Sequence, residues 1–579
     1  MKTLNLHVDY IKFKPLKKAL NTVEPLSEQE KKEQLVKEAL VVLTAIEKTD
    51  IPNKILIIKF VNSIKDIAKQ VNTKRIVLYP YAHLSSNLSS PEIATKILIE
   101  SEKELSKQNF EVIRAPFGYY KEFELKVKGH PLSELSREIG VEERIKKEKI
   151  EKETENITEE QRKRLLREIS KSKLDTSKLK ENDHRILGQQ MDLFSFNDVA
   201  PGMVFWHNNG LIIYNELVKY WEELHKKNNY ELIKTPQIMD AKLWKVSGHW
   251  EKYKENNFIT NYEKRDFLVK PMNCPGGMLV YRSKPKTYRD LPLRVGELGI
   301  VHRQELSGVL AGLFRVVQFT QDDAHIFCAD ENQVEKEISE LIDLIEIFYK
   351  KFNLKFDHIE LSTRPEKRIG TNKMWDMAEK ILEKVLKKRK MKYKLNKGGG
   401  AFYGPKIDFH AKDSQGRTWQ LSTIQLDFAM PERFELEYID KDNERKRPIM
   451  LHRVIYGALE RFIGILLESS NGRLSTWLAP IQIRMLSFTD RNINYAKKII
   501  QKIKKALPEV RIDEDFDSTT MSSKVRKAEI MRIPYIITIG DEEEKTGKLA
   551  IRIKGDRKLK NLSVEKFLDK ISKEIKNRE

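Results

Sequence analysis

Cysteine is nearly absent. Cys274 and Cys328 are the only two among 579 residues, which excludes a disulfide framework and suits a reducing, cytoplasmic compartment. Long apolar runs are absent too. No stretch of about 18 apolar residues occurs, so no membrane span is expected. The opening Met1-Lys-Thr-Leu-Asn-Leu-His-Val8 alternates like a strand and lacks the apolar block of a signal peptide. Neither Gly-x-x-x-x-Gly-Lys-Ser/Thr nor a strand-linked Gly-x-Gly-x-x-Gly is present, which removes the two commonest glycine loops for phosphate. No internal repeat is visible.

What is present is length and positive charge. A chain of 579 residues should split into several domains, because single cores stop growing near roughly 250–300 residues. Apolar residues make up 40%, enough for packed cores. Lys and Arg number 107 against 86 Asp and Glu, an excess of +21 that favours a polyanionic partner such as nucleic acid.

Residues 1–140 read as a small α/β unit. Leu4, Leu6 and Val8 alternate with polar residues. Ile55–Phe60 and Arg75–Tyr79 are short runs rich in β-branched residues and read as strands. Pro91–Lys107 has helical spacing, with Ser90 as N-cap and Pro91 at the first helical position. Residues 141–190 form a linker; Glu, Lys and Arg dominate it, and its thin apolar stripe predicts a charged helix. Residues 191–475 are the largest block. There Leu211–Lys227 is an amphipathic helix leading into a strand over Tyr230–Pro236, and the later segments lack βαβ alternation, which suggests an antiparallel sheet with helices. Residues 476–579 do alternate: strands at Ile483–Ser487, Glu509–Ile512 and Tyr535–Ile539, helices at Tyr495–Ala506 and Ser522–Met531. That predicts a partly parallel sheet.

Three separated segments hold the most informative side chains. Cys274 lies in Pro271-Met-Asn-Cys-Pro-Gly276, His325 in Phe319-Thr-Gln-Asp-Asp-Ala-His-Ile-Phe-Cys328, and His452 in Met450-Leu-His-Arg453. One thiolate and two imidazoles suit a catalytic zinc, which takes three protein ligands and keeps a fourth position open. The plain alternative is a buried cysteine with two hydrogen-bonded histidines.

The surrounding strings resemble the class II aminoacyl-tRNA synthetases. The helix at 211–227 and its strand look like their dimer-forming motif 1. Val301-His-Arg303-Gln-Glu305 with Phe314-Arg315 and Phe319 looks like motif 2, and Gly457-Ala-Leu-Glu-Arg461-Phe like motif 3. Within that class the chain resembles the threonyl-tRNA synthetases, through the Cys274 and His325 strings, Gly400-Ala-Phe-Tyr-Gly-Pro-Lys406, and Trp419-Gln420 to Gln425-Leu-Asp-Phe428. The resemblance implies three parts: a class II antiparallel sheet with helices, an N-terminal deacylase-like α/β editing domain, and a C-terminal α/β anticodon-binding domain.

It also implies roles. Arg303 would stabilise charge on the α-phosphate of ATP, Glu305 would recognise adenine, and Arg315, Lys406 and Arg461 would hold the triphosphate, with Gln425 beside them. Mg²⁺ would accompany ATP. Cys274, His325 and His452 would hold one Zn²⁺ per subunit, its shell completed by the amino and hydroxyl groups of L-threonine; Asp323, Tyr403, Gln420 and Met272 would line that pocket. Valine offers the metal no hydroxyl and is rejected. Serine lacks only one methyl, worth about 1–3 kcal/mol, which is too little for translation, so a second, editing site is required.

The N-terminal block supplies a candidate. It has no His-x-x-x-His, and no cysteine precedes 274, so the bacterial editing device is absent. Tyr79-Pro-Tyr-Ala-His-Leu-Ser85, Pro116-Phe-Gly-Tyr-Tyr-Lys121 and Lys128-Gly-His-Pro-Leu132 resemble the archaeal editing domain, related to D-aminoacyl-tRNA deacylases. The resemblance places Ala82, His83, Tyr120, Lys121 and Glu134 around a seryl ester. At the C-terminus it assigns Arg526, Glu543 and Arg552 to anticodon bases of tRNA(Thr). The expected protein is a cytoplasmic homodimer that acts on ATP, L-threonine and tRNA(Thr), without a membrane. A non-catalytic tRNA-binding or sensing protein, or a class II enzyme for proline or serine, are the rival readings; the arginines argue against the first and the zinc set with Asp323 against the second. Four departures from the family pattern stand out: Gly277 in place of histidine, Val316-Val-Gln-Phe319, Ala458, and Ser518.

Overall fold

The structure is a computed structural model. It describes every residue except 21, 22, 24, 29, 49, 51, 86, 140–157, 170–178, 253–256 and 557. Its contacts divide the chain into two units, Met1–Leu165 and Leu166–Glu579. Among the described residues no helix is long and apolar enough to cross a membrane.

The first unit is a six-stranded sheet with strands β1 (Lys2–Lys18), β2 (Gln34–Ala45), β3 (Arg75–Pro80), β4 (Glu111–Arg114), β5 (Tyr119–Val127) and β6 (Glu134–Glu138). The order is β4-β3-β2-β1-β5, with β6 also beside β1. The β2, β3 and β4 ladders are parallel and need crossovers. Helices α1 (Lys54–Gln70) and α2 (Pro91–Ser106) provide them and pack together on one face around Leu56, Phe60, Ile97 and Leu98. On the other face lie Phe13, Val41 and Tyr79.

Ile55–Phe60 is therefore not a strand but the first turns of α1. The Asn53 side chain accepts from Leu56 N at 2.9 Å and caps the helix. Leu56, Ile57, Phe60, Val61, Ile64, Ile67 and Ala68 are all buried, an i, i+3/i+4 series that outruns any strand. The β-branched run alone concealed that longer period. α2 begins as expected, with Pro91 at its start and Ser90 as cap.

Of the charged linker, residues 141–157 and 170–178 lie outside the described residues, and α3 (Glu159–Ile169) is helical with no buried residue. Its last part behaves differently. Helix α4 (His184–Gln190) buries His184, Leu187 and Gly188 within the second unit. His184 Nδ1 bonds Glu468 at 2.7 Å, and Nε2 accepts from Leu313 N at 3.0 Å. A buried, fully bonded histidine is invisible in a composition dominated by charge.

The second unit opens with α5 (Asn208–Lys227) and an eight-stranded sheet: β7 (Glu231–Leu232), β8 (Leu293–His302), β9 (Gln318–Cys328), β10 (His358–Ser362), β11 (Lys394–Asn396), β12 (Lys406–Lys412), β13 (Thr418–Asp427) and β14 (Ile449–Val454), in the order β11-β10-β12-β13-β14-β9-β8-β7. Pairing is antiparallel except at the two edges, β10 with β11 and β8 with β7. The expected strand at 230–236 shrinks to two residues because the chain then turns inward, where Thr235 N and Oγ1 both donate to Glu297. Helices α6 (Cys274–Arg282), α7 (Glu331–Lys351), α8 (Asn372–Lys388) and α9 (Leu459–Ser470) surround this sheet.

The C-terminal part is a five-stranded sheet, β15 (Ile483–Ser487), β16 (Ile512–Asp515), β17 (Tyr535–Ile539), β18 (Lys548–Ile553) and β19 (Lys560–Ser563), in the order β16-β15-β17-β18-β19. β15 is parallel to β16 and β17, as the βαβ reading requires. Helices α10 (Ile493–Ala506), α11 (Met521–Ile530), α12 (Asp541–Thr546) and α13 (Val564–Asn577) accompany it. The strand expected at 509–512 starts at Ile512 because a turn intervenes, with Val510 N donating to Leu507 O.

Candidate active site

Register alone builds the centre of the site. Lys406 on β12 pairs with Gln425 on β13, Gln425 with His452 on β14, and His452 with His325 on β9. Directly paired residues share a face, so four functional side chains form one row across four strands. Asp323, two residues before His325, shares its face by the same alternation. Between Asp408↔Thr423 and His410↔Gln420 the register slips by one residue. This bulge turns Gln420 to the face of Thr423; both then bond Asp408 Oδ1, at 2.7 and 2.9 Å. The loop between β8 and β9 carries Arg303, Glu305 and Arg315, and α9 brings Arg461. A cavity of about 510 Å³ is lined by all of these except His325, Asp408 and His410, and by Met272, Cys274 and Tyr403.

Cys274, the first residue of α6, meets His325 and His452 with their ligand atoms within 4.8 Å of one another, all three buried. His325 Nε2 is buried and has no hydrogen-bond partner among the described residues. His452 Nε2 lies 2.7 Å from Asp427 Oδ2, which leaves Nδ1 for another partner. Asp427 is itself fixed by the Ala429 and Met430 N–H groups at 2.7 and 2.9 Å. A carboxylate behind a histidine in this way sets ring orientation and raises its basicity. Burial pushes the Cys274 thiol well above its usual range, with Asp323 and Asp427 adding to it. Burial pushes His325 well below its own, next to His452. A neutral, unpartnered imidazole and a thiol that would release its proton to a cation fit a divalent metal of the zinc type.

The other end of the cavity is cationic. Arg461 Nε donates to Phe314 O at 2.8 Å and Nη1 to Gln420 O at 2.9 Å. Burial, with Arg315 and Arg303 nearby, pushes it down to about 10. Arg303 Nε donates to Pro271 O at 3.1 Å, and its guanidinium lies 5.2 Å from the Phe319 ring centre. Arg315 pairs with Glu305 at 2.9 Å, and Lys406 with Asp408 at 2.6 Å. Three guanidiniums share a recessed space with one paired glutamate; such a cluster suits a polyphosphate.

Asp322, Asp408 and Asp427 were given no role by the sequence reading. Asp322 is fully buried and accepts from Ile455 N and Gly457 N, each at 2.9 Å, fixing the entry to α9. Burial raises its carboxyl to about 7. The signal was available in each case, as an acid one or two residues from a site residue on the same strand.

In the first unit Lys121 is half-buried. Its ammonium donates to Pro116 O at 2.8 Å and Tyr119 O at 3.1 Å and lies 5.1 Å from the Tyr79 ring centre. Burial alone pushes it down to about 8. Tyr79, Tyr81 and His83 continue the cluster, with ring centres 6.4 and 5.4 Å apart, and Ala82 shares the turn with His83. Tyr120 does not join it. Adjacent residues of a strand face opposite ways, and Tyr120 instead lies beneath Lys17, 5.8 Å from its ammonium. Glu134 is exposed on β6 opposite Leu6, and among the described residues no hydrogen bond or ion pair ties it to Lys121 or His83.

At the C-terminus the three anticodon candidates lie on three different elements. Arg526 is exposed on α11. Glu543 accepts from Gly540 N at 2.8 Å and caps α12. Arg552, opposite Ile536, lines a cleft with Arg473, Arg532 and Lys554.

Comparison with known proteins adds three profile matches: the archaea-specific editing domain of threonyl-tRNA synthetase over residues 1–139, the class II core domain of the G, H, P, S and T synthetases over 254–470, and an anticodon-binding domain over 478–574. A threonine–tRNA ligase of Caldanaerobacter subterraneus subsp. tengcongensis is 51% identical over 396 residues, covering 68% of this chain and 61% of that one. A ligase of Desulforamulus reducens is 49% identical over 399 residues, covering 69% and 62%. The chain thus spans about six tenths of the length of these curated relatives. The crystal structure of the RNA binding domain of threonyl-tRNA synthetase from Cryptosporidium parvum Iowa II matches with a TM-score of 0.64 and 36% identity, covering 68% of this chain and 98% of that one. Sheet, cavity and sequence kinship converge, and the chain belongs to the threonyl-tRNA synthetase family.

Proposed function

We propose that this chain is a threonine–tRNA ligase that activates L-threonine with ATP, transfers it to tRNA(Thr), and hydrolyses seryl-tRNA(Thr) in its first unit. One observation carries the reading: the buried Cys274, His325 and His452 and the Arg303, Arg315 and Arg461 cluster meet around one cavity. An amino acid bound at the first and a triphosphate at the second would present a carboxylate to the α-phosphate. Arg303 then stabilises the charge that develops there, and its bond to Pro271 O holds it in place before substrate arrives. Arg461 and Lys406 neutralise the outer phosphates, which travel with Mg²⁺.

Zn²⁺ held by Cys274 Sγ, His325 Nε2 and His452 would supply a Lewis-acidic position that recognises an amino and a hydroxyl group. Asp323 stands beside this set, 3.7 Å from His325 Nε2, positioned to accept from the substrate. In the first unit the Lys121 ammonium would stabilise charge during ester hydrolysis by a positioned water. A homodimer through α5 and β7 is supported by the exposed Leu211 and Leu232, with Phe205 exposed just before α5. The lysine- and arginine-rich charge suits tRNA, with Arg526, Glu543 and Arg552 reading the anticodon, and a cytoplasmic location follows from that partner.

The test is threonine-dependent pyrophosphate exchange with metal analysis of the same sample. Cys274→Ala should abolish the exchange and lower the bound zinc by the one equivalent held at that set. Exchange that persists undiminished without metal would refute the zinc reading. Removing residues 1–139 should leave threonylation intact and let seryl-tRNA(Thr) accumulate.

A further inference from the structure

A second group of metal-type ligands lies on the same catalytic sheet, outside the cavity. His358 on β10 and His410 on β12 are directly paired across the ladder, and their rings stack at 4.6 Å between centres and 5° between planes. Glu360, two residues after His358, points to the same face. Its two oxygens divide between the rings: Oε1 is 3.1 Å from His358 Nε2, and Oε2 is 3.7 Å from His410 Nε2. One ligand atom from each residue lies within 4.8 Å of the others. The edge of a tetrahedron of zinc ligands at about 2.0 Å is roughly 3.3 Å, and both separations lie close to it.

The hydrogen bonding is unsatisfied in a way that points to a cation. His358 Nδ1 is 2.6 Å from Asp357 Oδ2, and Lys412 braces that carboxylate at 2.6 Å. If Nδ1 carries the proton, the Nε2 lone pair of a neutral ring faces a Glu360 oxygen, and two acceptors oppose each other. A second proton on His358 would settle that contact alone. It would leave His410 Nε2, which is buried and has no hydrogen-bond partner among the described residues. One divalent ion among the three groups satisfies both imidazoles and the carboxylate together. The outer groups are in place as well. Asp357 orients His358, and Asn396 Nδ2 donates to Glu360 Oε2 at 2.9 Å, the kind of support metal ligands receive. The buried set Asp183, His184 and Glu468 makes the contrast, because both ring nitrogens of His184 already have partners.

We propose that His358, Glu360 and His410 form a second metal site, for an imidazole-preferring divalent ion such as zinc, cobalt or nickel rather than magnesium. It is separate from the Cys274 set and does not depend on the assignment of that set. The ion links β10 to β12 across the ladder and leaves its remaining coordination positions to solvent.

Cobalt(II) titration of the full chain tests it. Wild-type protein should bind two equivalents. Only the first should show a thiolate-to-cobalt charge-transfer band, since only the Cys274 set contains sulfur. His410→Ala, His358→Ala and Glu360→Gln should each lower the stoichiometry to one and keep that band. Cys274→Ala should lose the band and keep one equivalent. Because a ligand variant could also perturb folding, a second measurement uses Cys274→Ala protein with this site intact: added zinc should raise its Tm, and magnesium should not. A single wild-type equivalent that carries the thiolate band, a second equivalent that survives both histidine changes, or no zinc-dependent Tm shift in Cys274→Ala would each overturn the site.

Discussion

The two candidate reaction centres solve different electrostatic problems. The cavity of the second unit crowds cations together: Arg303, Arg315 and Arg461 share a recessed space, and burial with its neighbours depresses even Arg461 to about 10. In the first unit one ammonium, that of Lys121, lies half-buried against a tyrosine ring and two carbonyls with no carboxylate beside it among the described residues, and burial is the sole cause of its shift to about 8. A cluster of guanidiniums stays charged at any physiological pH and is suited to holding several phosphate charges. A lone buried lysine titrates near neutrality and suits one developing charge. The difference predicts that activation should be insensitive to pH around 8, and that editing should not be.

The largest expected effect is at Arg303. Arg303→Ala removes the donor proposed for the reacting phosphate and should lower the rate of threonine-dependent pyrophosphate exchange by about 10²–10³-fold, leaving editing of supplied seryl-tRNA unchanged. A loss of both would mean the two centres are not independent.

Next comes Lys121. Lys121→Met should reduce seryl-tRNA hydrolysis by roughly 10²-fold, the scale of one electrostatic group, without affecting threonylation. The pH profile sharpens this. The folded-state value lies below the ordinary lysine value, so the ammonium is present below about pH 8 and lost above it. Editing that relies on the charge should fall as pH rises through 8. Stability should move the other way: between about 8 and the unfolded value the unfolded chain binds more protons, so the first unit gains stability as pH rises. Editing that instead increases through pH 8 would identify the neutral amine as a proton acceptor.

A smaller effect is expected behind the metal set. Asp427→Asn weakens the acceptor held against His452 Nε2 and should cost about 10–100-fold in zinc affinity, measured by competition with a chelator. Threonine activation at saturating zinc should be nearly restored, which separates an orienting role from a ligand.

Much of this site was legible in the sequence because each candidate side chain sits in its own local string. The cavity gathers Arg303, Glu305, Asp323, Tyr403 and His452 as those strings imply. Three things were not legible. The bulge that turns Gln420 inward depends on pairing between β12 and β13, and pairing is not a local property. Tyr120 and Lys121 are adjacent in sequence, yet the strand sends them to opposite faces. The facing of His358 and His410 joins positions 52 residues apart, so no motif of fixed spacing announces it. In the fold, Ile55–Phe60 looked like a strand because its β-branched residues are as compatible with a buried helix, and only the continuation to Ala68 decides between them.

The smallest effect should fall at Gly277, where the family usually has a histidine. It sits inside α6 and is buried. A Cβ there would meet His325 Nδ1 at 3.4 Å and Cε1 at 3.7 Å, ordinary contact distances, on the side of the ring away from the unpartnered Nε2. Gly277→Ala therefore fills space without touching a metal-facing atom, and alanine is favoured over glycine within a helix by about 1 kcal/mol. The variant should melt slightly higher and keep threonine activation within about twofold. Gly457→Ala on the opposite wall is the control. Its φ is +79°, and its Cβ would fall 2.6 Å from Leu421 O, so backbone must shift where α9 presents Arg461. If both changes cut activation equally, the cavity is rigid throughout; if only Gly457→Ala does, the departure at Gly277 is one the metal end of the cavity tolerates because His325 needs just one of its two nitrogens.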